Sequence, residues 1–205
     1  MKMLTRRGFA AGAALLPVFS ASGVLRAAEP DLAGLRNIAS GAVAIGPGER
    51  SARIARAQAL MNAQGIGAVL IESGSSLVYF TGVTWFRSER LTAAILPVEG
   101  EPCIVTPFFE EPSVRQTLGV AADVRVWQED EDPLKLVAGF LRERKLAERP
   151  IGIEETVRYF AVDGLPRALP GAKIVSANPV VRGVRMRKTA PEIALMQTAT
   201  DVTIA

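Results

Sequence analysis

The sequence contains no histidine and a single cysteine in 205 residues. Without imidazole, no Ser-His or Cys-His relay can form within the chain, and no metal site that needs a ring nitrogen. One cysteine excludes an internal disulfide. That residue, Cys103, lies in the apolar stretch Cys103-Ile104-Val105 and reads as a small core residue rather than a nucleophile. Beyond the N-terminus no apolar run is long and clean enough to cross a bilayer. Net charge is also scarce once the first 28 residues are set aside. The chain has 24 Lys and Arg against 21 Asp and Glu, and residues 1–28 hold Lys2, Arg6, Arg7 and Arg26 but no acid. The remainder has 20 basic residues against 21 acidic ones. The basicity thus belongs to the leader and gives no support to a nucleic-acid or anionic-membrane partner. With 49% hydrophobic and 22% charged residues, the rest has the composition of a globular body.

The leader begins Thr5-Arg6-Arg7-Gly8-Phe9 and continues as an apolar, small-residue stretch to position 25. A charged start, a modest apolar core and a small-residue exit describe a signal peptide over 1–28. Paired arginines followed by Phe9 match the twin-arginine export signature, an ordinary secretory leader being the alternative. The expected location is periplasmic or secreted. Twin-arginine export carries folded proteins, which suits one that acquires a cofactor before crossing. Residues 29–48 are expected to be a lead-in linker ending in Gly46-Pro47-Gly48.

The mature chain alternates two periods. Residues 49–64 read as a helix with Ile54, Ala57, Leu60 and Met61 on one face and arginines opposite, closed by Gly65 as a cap. Residues 68–71 are a short buried strand, residues 72–76 a loop, and residues 77–80 lead into Thr81-Gly82. Residues 91–96 and 103–106 form a hairpin about the turn 97–102. A helix over 108–118 and a half-buried strand over 123–127 follow. The acids Glu129, Asp130, Glu131 and Asp132 precede Pro133 and a helix to about 146, whose N-terminus they stabilise. Residues 151–153 are a strand, 157–169 a helix and 173–176 a strand. The sum is an α/β domain over 49–180, a mixed sheet flanked by helices. Beyond it, Thr189-Ala190-Pro191-Glu192 is a capping box opening a helix that reaches Ala205 with no closing signal. A chain cut within an element is the expectation for 181–205.

Few constellations carry chemistry. Glu154-Glu155 is an adjacent acid pair, but neighbours on a strand point apart, so helix N-terminal acids are the better reading. Ser73-Gly74-Ser75-Ser76 follows a strand yet lacks a lysine and a glycine fingerprint, so it reads as a plain turn. Leu136, Val137, Phe140 and Leu141 form a helical stripe that core packing explains.

Three segments together resemble the creatinase/Xaa-Pro peptidase (pita-bread) family. They are Leu77-Val78-Tyr79-Phe80-Thr81-Gly82 with Arg90 eight residues after Gly82, the strand–turn–strand about Gly100-Glu101-Pro102, and Arg185-Met186-Arg187-Lys188-Thr189-Ala190-Pro191-Glu192-Ile193-Ala194-Leu195-Met196. The resemblance implies an N-terminal domain of mixed α/β layers over 49–180, followed at 181–205 by the linker and first helix of a catalytic domain. In the family that second domain holds two divalent metal ions on two Asp, one His and two Glu, so manganese, cobalt or zinc is expected there and no catalytic or metal-binding residue in this chain. The implied partners are the chain's own catalytic domain, a second copy in a homodimer, and a peptide or small amide substrate. Arg90 falls where creatinase-like members place an arginine on the substrate carboxylate, and a guanidinium fork suits a carboxylate. Trp85, Phe86 and Arg87 share its loop and are expected to wall the pocket. Ser88 stands where creatinase-like members carry an aromatic, which counts against creatine. For Arg90 the other reading is a structural ion pair beside a strand, and for Trp85 a packed loop aromatic. A stand-alone α/β binding or oligomerisation module is the alternative for the whole chain.

Overall fold

The computed structural model describes Gly34 and residues 36–205; the expected signal peptide and the first part of the linker lie outside them. Residues 38–205 form one compact unit. Its elements are α1 (Pro47–Ala63), β1 (Ala68–Glu72), α2 (Ser75–Thr81), β2 (Ala93–Pro97), β3 (Cys103–Pro107), α3 (Glu111–Thr117), β4 (Asp123–Trp127), α4 (Pro133–Glu143), β5 (Ile151–Ile153), α5 (Tyr159–Ala168), β6 (Ile174–Ser176), α6 (Asn178–Arg185) and α7 (Ala190–Ile204). The six strands lie in the order β4-β3-β2-β1-β5-β6. Only β2 is antiparallel to its neighbours; β1–β5, β5–β6 and β3–β4 are parallel. This is the expected mixed α/β sheet.

Every residue of β1, β2 and β3 is buried, so helices cover both faces of the sheet. Helices α1, α2 and α6 pack on one another, and α4 with α5 forms a second group. Apolar runs such as Ala68-Val69-Leu70-Ile71 become central strands because both of their faces are desolvated. Of the α4 stripe, Val137, Phe140 and Leu141 are buried in the core and Leu136 is partly buried against it, while Leu134 is buried as well. Asp132 caps that helix by accepting a hydrogen bond from Leu134 N at 2.9 Å, the expected use of an acid there. The capping box of α7 is formed in full.

Three expectations change. Gly46-Pro47-Gly48 is not linker: Gly46 is the N-cap of α1 and Pro47 its first residue, where the missing N–H costs nothing. Residues 75–81 form a helix, where the sequence predicts a loop over 72–76 and no element over 77–80. Its seven residues have poor propensity, and burial of Leu77 and Phe80 supplies what propensity does not. Finally, the arginines of α1 do not all face solvent, because Arg53 is buried. Helix α6 runs across position 180 and buries Val180, Val181 and Val184.

Gly65 closes α1 with φ +69°, the left-handed cap its position predicts. Gly82 ends α2 with φ +84°, and a Cβ there would meet Gly119 N and Thr117 O at 3.0 Å. A Cβ at Gly65 would meet nothing. Gly65→Ala is therefore expected to lose about 1–2 kcal/mol from the left-handed conformation alone. Gly82→Ala should lose clearly more, since backbone must also move. Urea denaturation of the two variants measures the difference; equal losses would contradict the close approach at Gly82.

Candidate functional site

Five of the six strands run in the same direction, so their carboxyl ends meet at one end of the sheet. Parallel α/β sheets place ligand sites there, where successive connections leave in opposite directions. Here that point lies between β1 and β5: the chain proceeds from β1 to β2 on one side and from β5 to β6 on the other. Most of the buried polar side chains gather at this end, among them Glu72, Ser76, Thr92, Glu110 and Glu154.

The crevice is filled by the protein's own ion pair. Glu72, the last residue of β1, has a fully buried side chain. It accepts hydrogen bonds from Arg158 N at 2.9 Å and Arg158 Nε at 2.6 Å, and Arg158 Nη2 completes the salt bridge. The rest of the guanidinium reaches the loop 83–92, donating to Ser88 O and, at 3.1 Å, to Arg90 O. Burial forces this arrangement, because a desolvated carboxylate needs both charge and hydrogen-bond compensation. Beside it, Glu154 accepts from Ser76 Oγ at 2.9 Å and from Thr156 N and Oγ1 at 2.7 and 2.6 Å. Arg185 donates to the Ser76 and Ser75 hydroxyls at 2.7 and 3.1 Å.

The loop presents the residues that the sequence singles out. Arg87 donates from Nη2 to Ser73 O at 3.1 Å and Thr156 O at 3.0 Å, so it ties the loop to the carboxyl ends of β1 and β5. Arg90 pairs with Glu129 and Glu89 and lies 5.3 Å from the centroid of Phe109. The hydrogen bond that Arg90 donates to Glu129 holds the Arg90 guanidinium above its ordinary pKa. Trp85 is half-buried against the core. Phe86, which follows it, is 90% exposed. Around the loop, Phe108, Phe109, Tyr159 and Phe160 are also exposed; Phe108 and Phe109 meet edge-on at 5.3 Å, and Arg158 lies 4.7 Å from the Phe160 centroid. The result is an apolar surface studded with guanidinium groups. It can bind carboxylates by charge and flat apolar groups by contact.

Other residues separate as their chemistry dictates. The Glu154 and Glu155 side chains do point apart: Glu154 is buried, while Glu155 pairs with Arg182 at the surface. They are not helix N-terminal acids, since α5 starts only at Tyr159. Ser75 and Ser76 belong to the first turn of α2 rather than to a plain turn. The Cys103 thiol is buried, and that burial pushes its pKa up to about 12; so protonated a thiol is no nucleophile. The residues that sequence reasoning missed are Glu72 and Arg158. The available signal was an acid closing a wholly apolar strand. Among the described residues no group of three or more His, Cys, Asp or Glu side chains could hold a metal ion, and no helix is long and apolar enough to cross a membrane.

Residues 53–187, about two thirds of the chain, match the Creatinase/Prolidase N-terminal domain family. A probable dipeptidase PepE of Mycobacterium tuberculosis is 32% identical over 150 residues, which cover 72% of this chain and 39% of the relative. The crystal structure of dipeptidase PepE from Mycobacterium ulcerans superposes with a TM-score of 0.65 at 30% identity, over 74% of this chain and 40% of that one. The N-terminal domain of a Xaa-Pro dipeptidase from Lactobacillus brevis shares the fold at 15% identity, with a TM-score of 0.59 over 66% of this chain and 99% of that one. The chain thus spans about two fifths of the length of the full-length relatives it matches.

Removing Arg158 alone strands a buried carboxylate. Arg158→Met is expected to cost about 3 kcal/mol in urea unfolding. The double variant Glu72→Gln/Arg158→Met should cost much less than the two single losses combined. Strict additivity would show that the pair is not coupled.

Proposed function

The chain belongs to the creatinase/prolidase N-terminal domain family, and from that premise we propose that it is the substrate-gating and dimerisation domain of an exported, metal-dependent Xaa-Pro dipeptidase-like hydrolase. The observation that carries this reading is the pinned loop 83–92. It offers Phe86 to solvent and fixes Arg90 beside Phe109, at the sheet end where ligands of such folds bind. An exposed phenylalanine on an anchored loop is a group awaiting a surface. Burying it against a second copy would contribute about 2 kcal/mol. Arg90 now spans Glu129 and Glu89, both largely exposed. Water screens exposed pairs of this kind and leaves them little net stability, so a substrate carboxylate can replace them.

The described residues do not fit a pair of metal ions, because the chain has no histidine and its acids are dispersed or paired with arginines. In this proposal the two divalent ions (manganese, cobalt or zinc) belong to a catalytic domain outside these residues. The task left to this chain is to exclude water and to position a carboxylate with Arg90, while Trp85 and Arg87 hold the loop behind it. Export rests on Arg6-Arg7 and the apolar stretch that follows them. The names of the relatives, a probable dipeptidase and a Xaa-Pro dipeptidase, support a short peptide as substrate.

The test uses the polypeptide that carries this chain together with its downstream catalytic half. Arg90→Ala should raise KM for a Xaa-Pro dipeptide about tenfold or more, the loss of one charge-assisted hydrogen-bonded contact, with kcat little changed. Phe86→Glu should shift the protein from dimer to monomer in sedimentation equilibrium. Unchanged KM and unchanged mass would remove the gating reading.

A further inference from the structure

A second charged hub lies where α1, α2, α6 and α7 meet. Arg53 is 4% exposed and donates from Nη1 to Tyr79 O at 2.9 Å. Its guanidinium lies 4.0 Å from the centroid of the Tyr79 ring. It also meets two carboxylates, Glu49 one turn earlier on α1 at 3.4 Å and Glu192 in the first turn of α7 at 3.1 Å. The two acids are joined a second time through Thr189, the N-cap of α7. Its hydroxyl lies 3.0 Å from Glu49 Oε1 and 3.1 Å from Glu192 Oε2, and its backbone N donates to Glu192 Oε2 at 2.8 Å. Arg185, at the end of α6, lies 5.6 Å from the same Tyr79 ring, and Tyr79 Oη donates to Val184 O at 3.5 Å.

Among the described residues, helix α7 has this hub as its main polar tie to the sheet domain. None of its fifteen residues is buried, and Ile193, Met196, Val202 and Ile204 are exposed. Its inner side, at Leu195 and Thr198, borders a cavity of about 350 Å³ against residues 41–46. Among the described residues, hydrophobic packing, which orients most helices, contributes little to the placement of α7. A buried guanidinium with two carboxylates and a backbone carbonyl supplies direction instead, since its planar fork fixes the angle of each partner.

We propose that Arg53 is a latch that sets the orientation of α7 on the sheet domain, closing on Glu192 across the α6–α7 junction while Glu49 and Tyr79 hold it from behind. The inference goes beyond the gating reading and does not depend on it. It makes Arg53 the residue through which the direction of the outgoing helix is tied to α2, the helix that leads into loop 83–92. When the latch opens, α7 keeps its helix and loses its angle.

The experiment places spin labels at Lys135→Cys and Ala199→Cys and measures their distance distribution in this chain by pulsed electron paramagnetic resonance. Cys103 stays unlabelled because it is buried. The unaltered latch should give one narrow distribution. Arg53→Met should broaden it about twofold or more, as local restraint is lost. Glu192→Gln keeps an oxygen that can accept from Thr189 N, so it preserves the cap and removes only the ion pair. It should broaden the distribution in the same direction with an unchanged unfolding midpoint, and it keeps the test decisive if Arg53→Met folds poorly. A broad distribution with the latch intact, or a narrow one in Glu192→Gln, would overturn the proposal.

Discussion

The arrangement at the carboxyl end of the sheet depends on the buried charge of Glu72. A carboxylate closing a fully buried strand cannot be left unpaired, and Arg158 is the cation that reaches it. One guanidinium satisfies the strand end and two carbonyls of the 83–92 loop together. The loop is therefore held by the same group that makes the strand end tolerable. Arg87 adds a second tie from the loop to Ser73 and Thr156. With its root fixed at two points, the loop can hold Arg90 and Phe86 out in solvent in a defined place.

An anchored loop with an exposed tip is suited to meeting a surface outside the domain, the role proposed above for residues 83–92. The sequence has no imidazole, and the described residues hold no cluster of acids for a metal. The domain has guanidinium groups set among aromatic faces, a chemistry suited to carboxylates and apolar surface. The α7 junction follows the same logic: a buried arginine, two carboxylates and an aromatic ring join α7 to α1 and α2. In both places arginine supplies direction rather than bulk stability.

Much of the fold was legible in the sequence, because short apolar runs and their turn residues report burial directly. The strands at 123–127 and 151–153, the hairpin about residues 97–102 and the capping box at Thr189 stand where pattern places them. Helix α2 was not legible: Ser75–Thr81 is too short for a period, and tertiary burial of Leu77 and Phe80 decides it. Charged partners were the least legible of all. Glu72 and Arg158 are 86 residues apart, and Arg53 looks like any surface arginine until α7 is seen to return to it. The candidate loop could be located by its motif, whereas what anchors it becomes visible only once β1 and β5 lie side by side.

The measurement that bears most directly on this account is amide hydrogen exchange in Arg158→Lys. Lysine keeps the charge but cannot bridge Glu72 and the two loop carbonyls with a planar fork. Protection should fall across residues 83–92 while β1, β2 and β3 stay protected. Unaltered protection of the loop would contradict it.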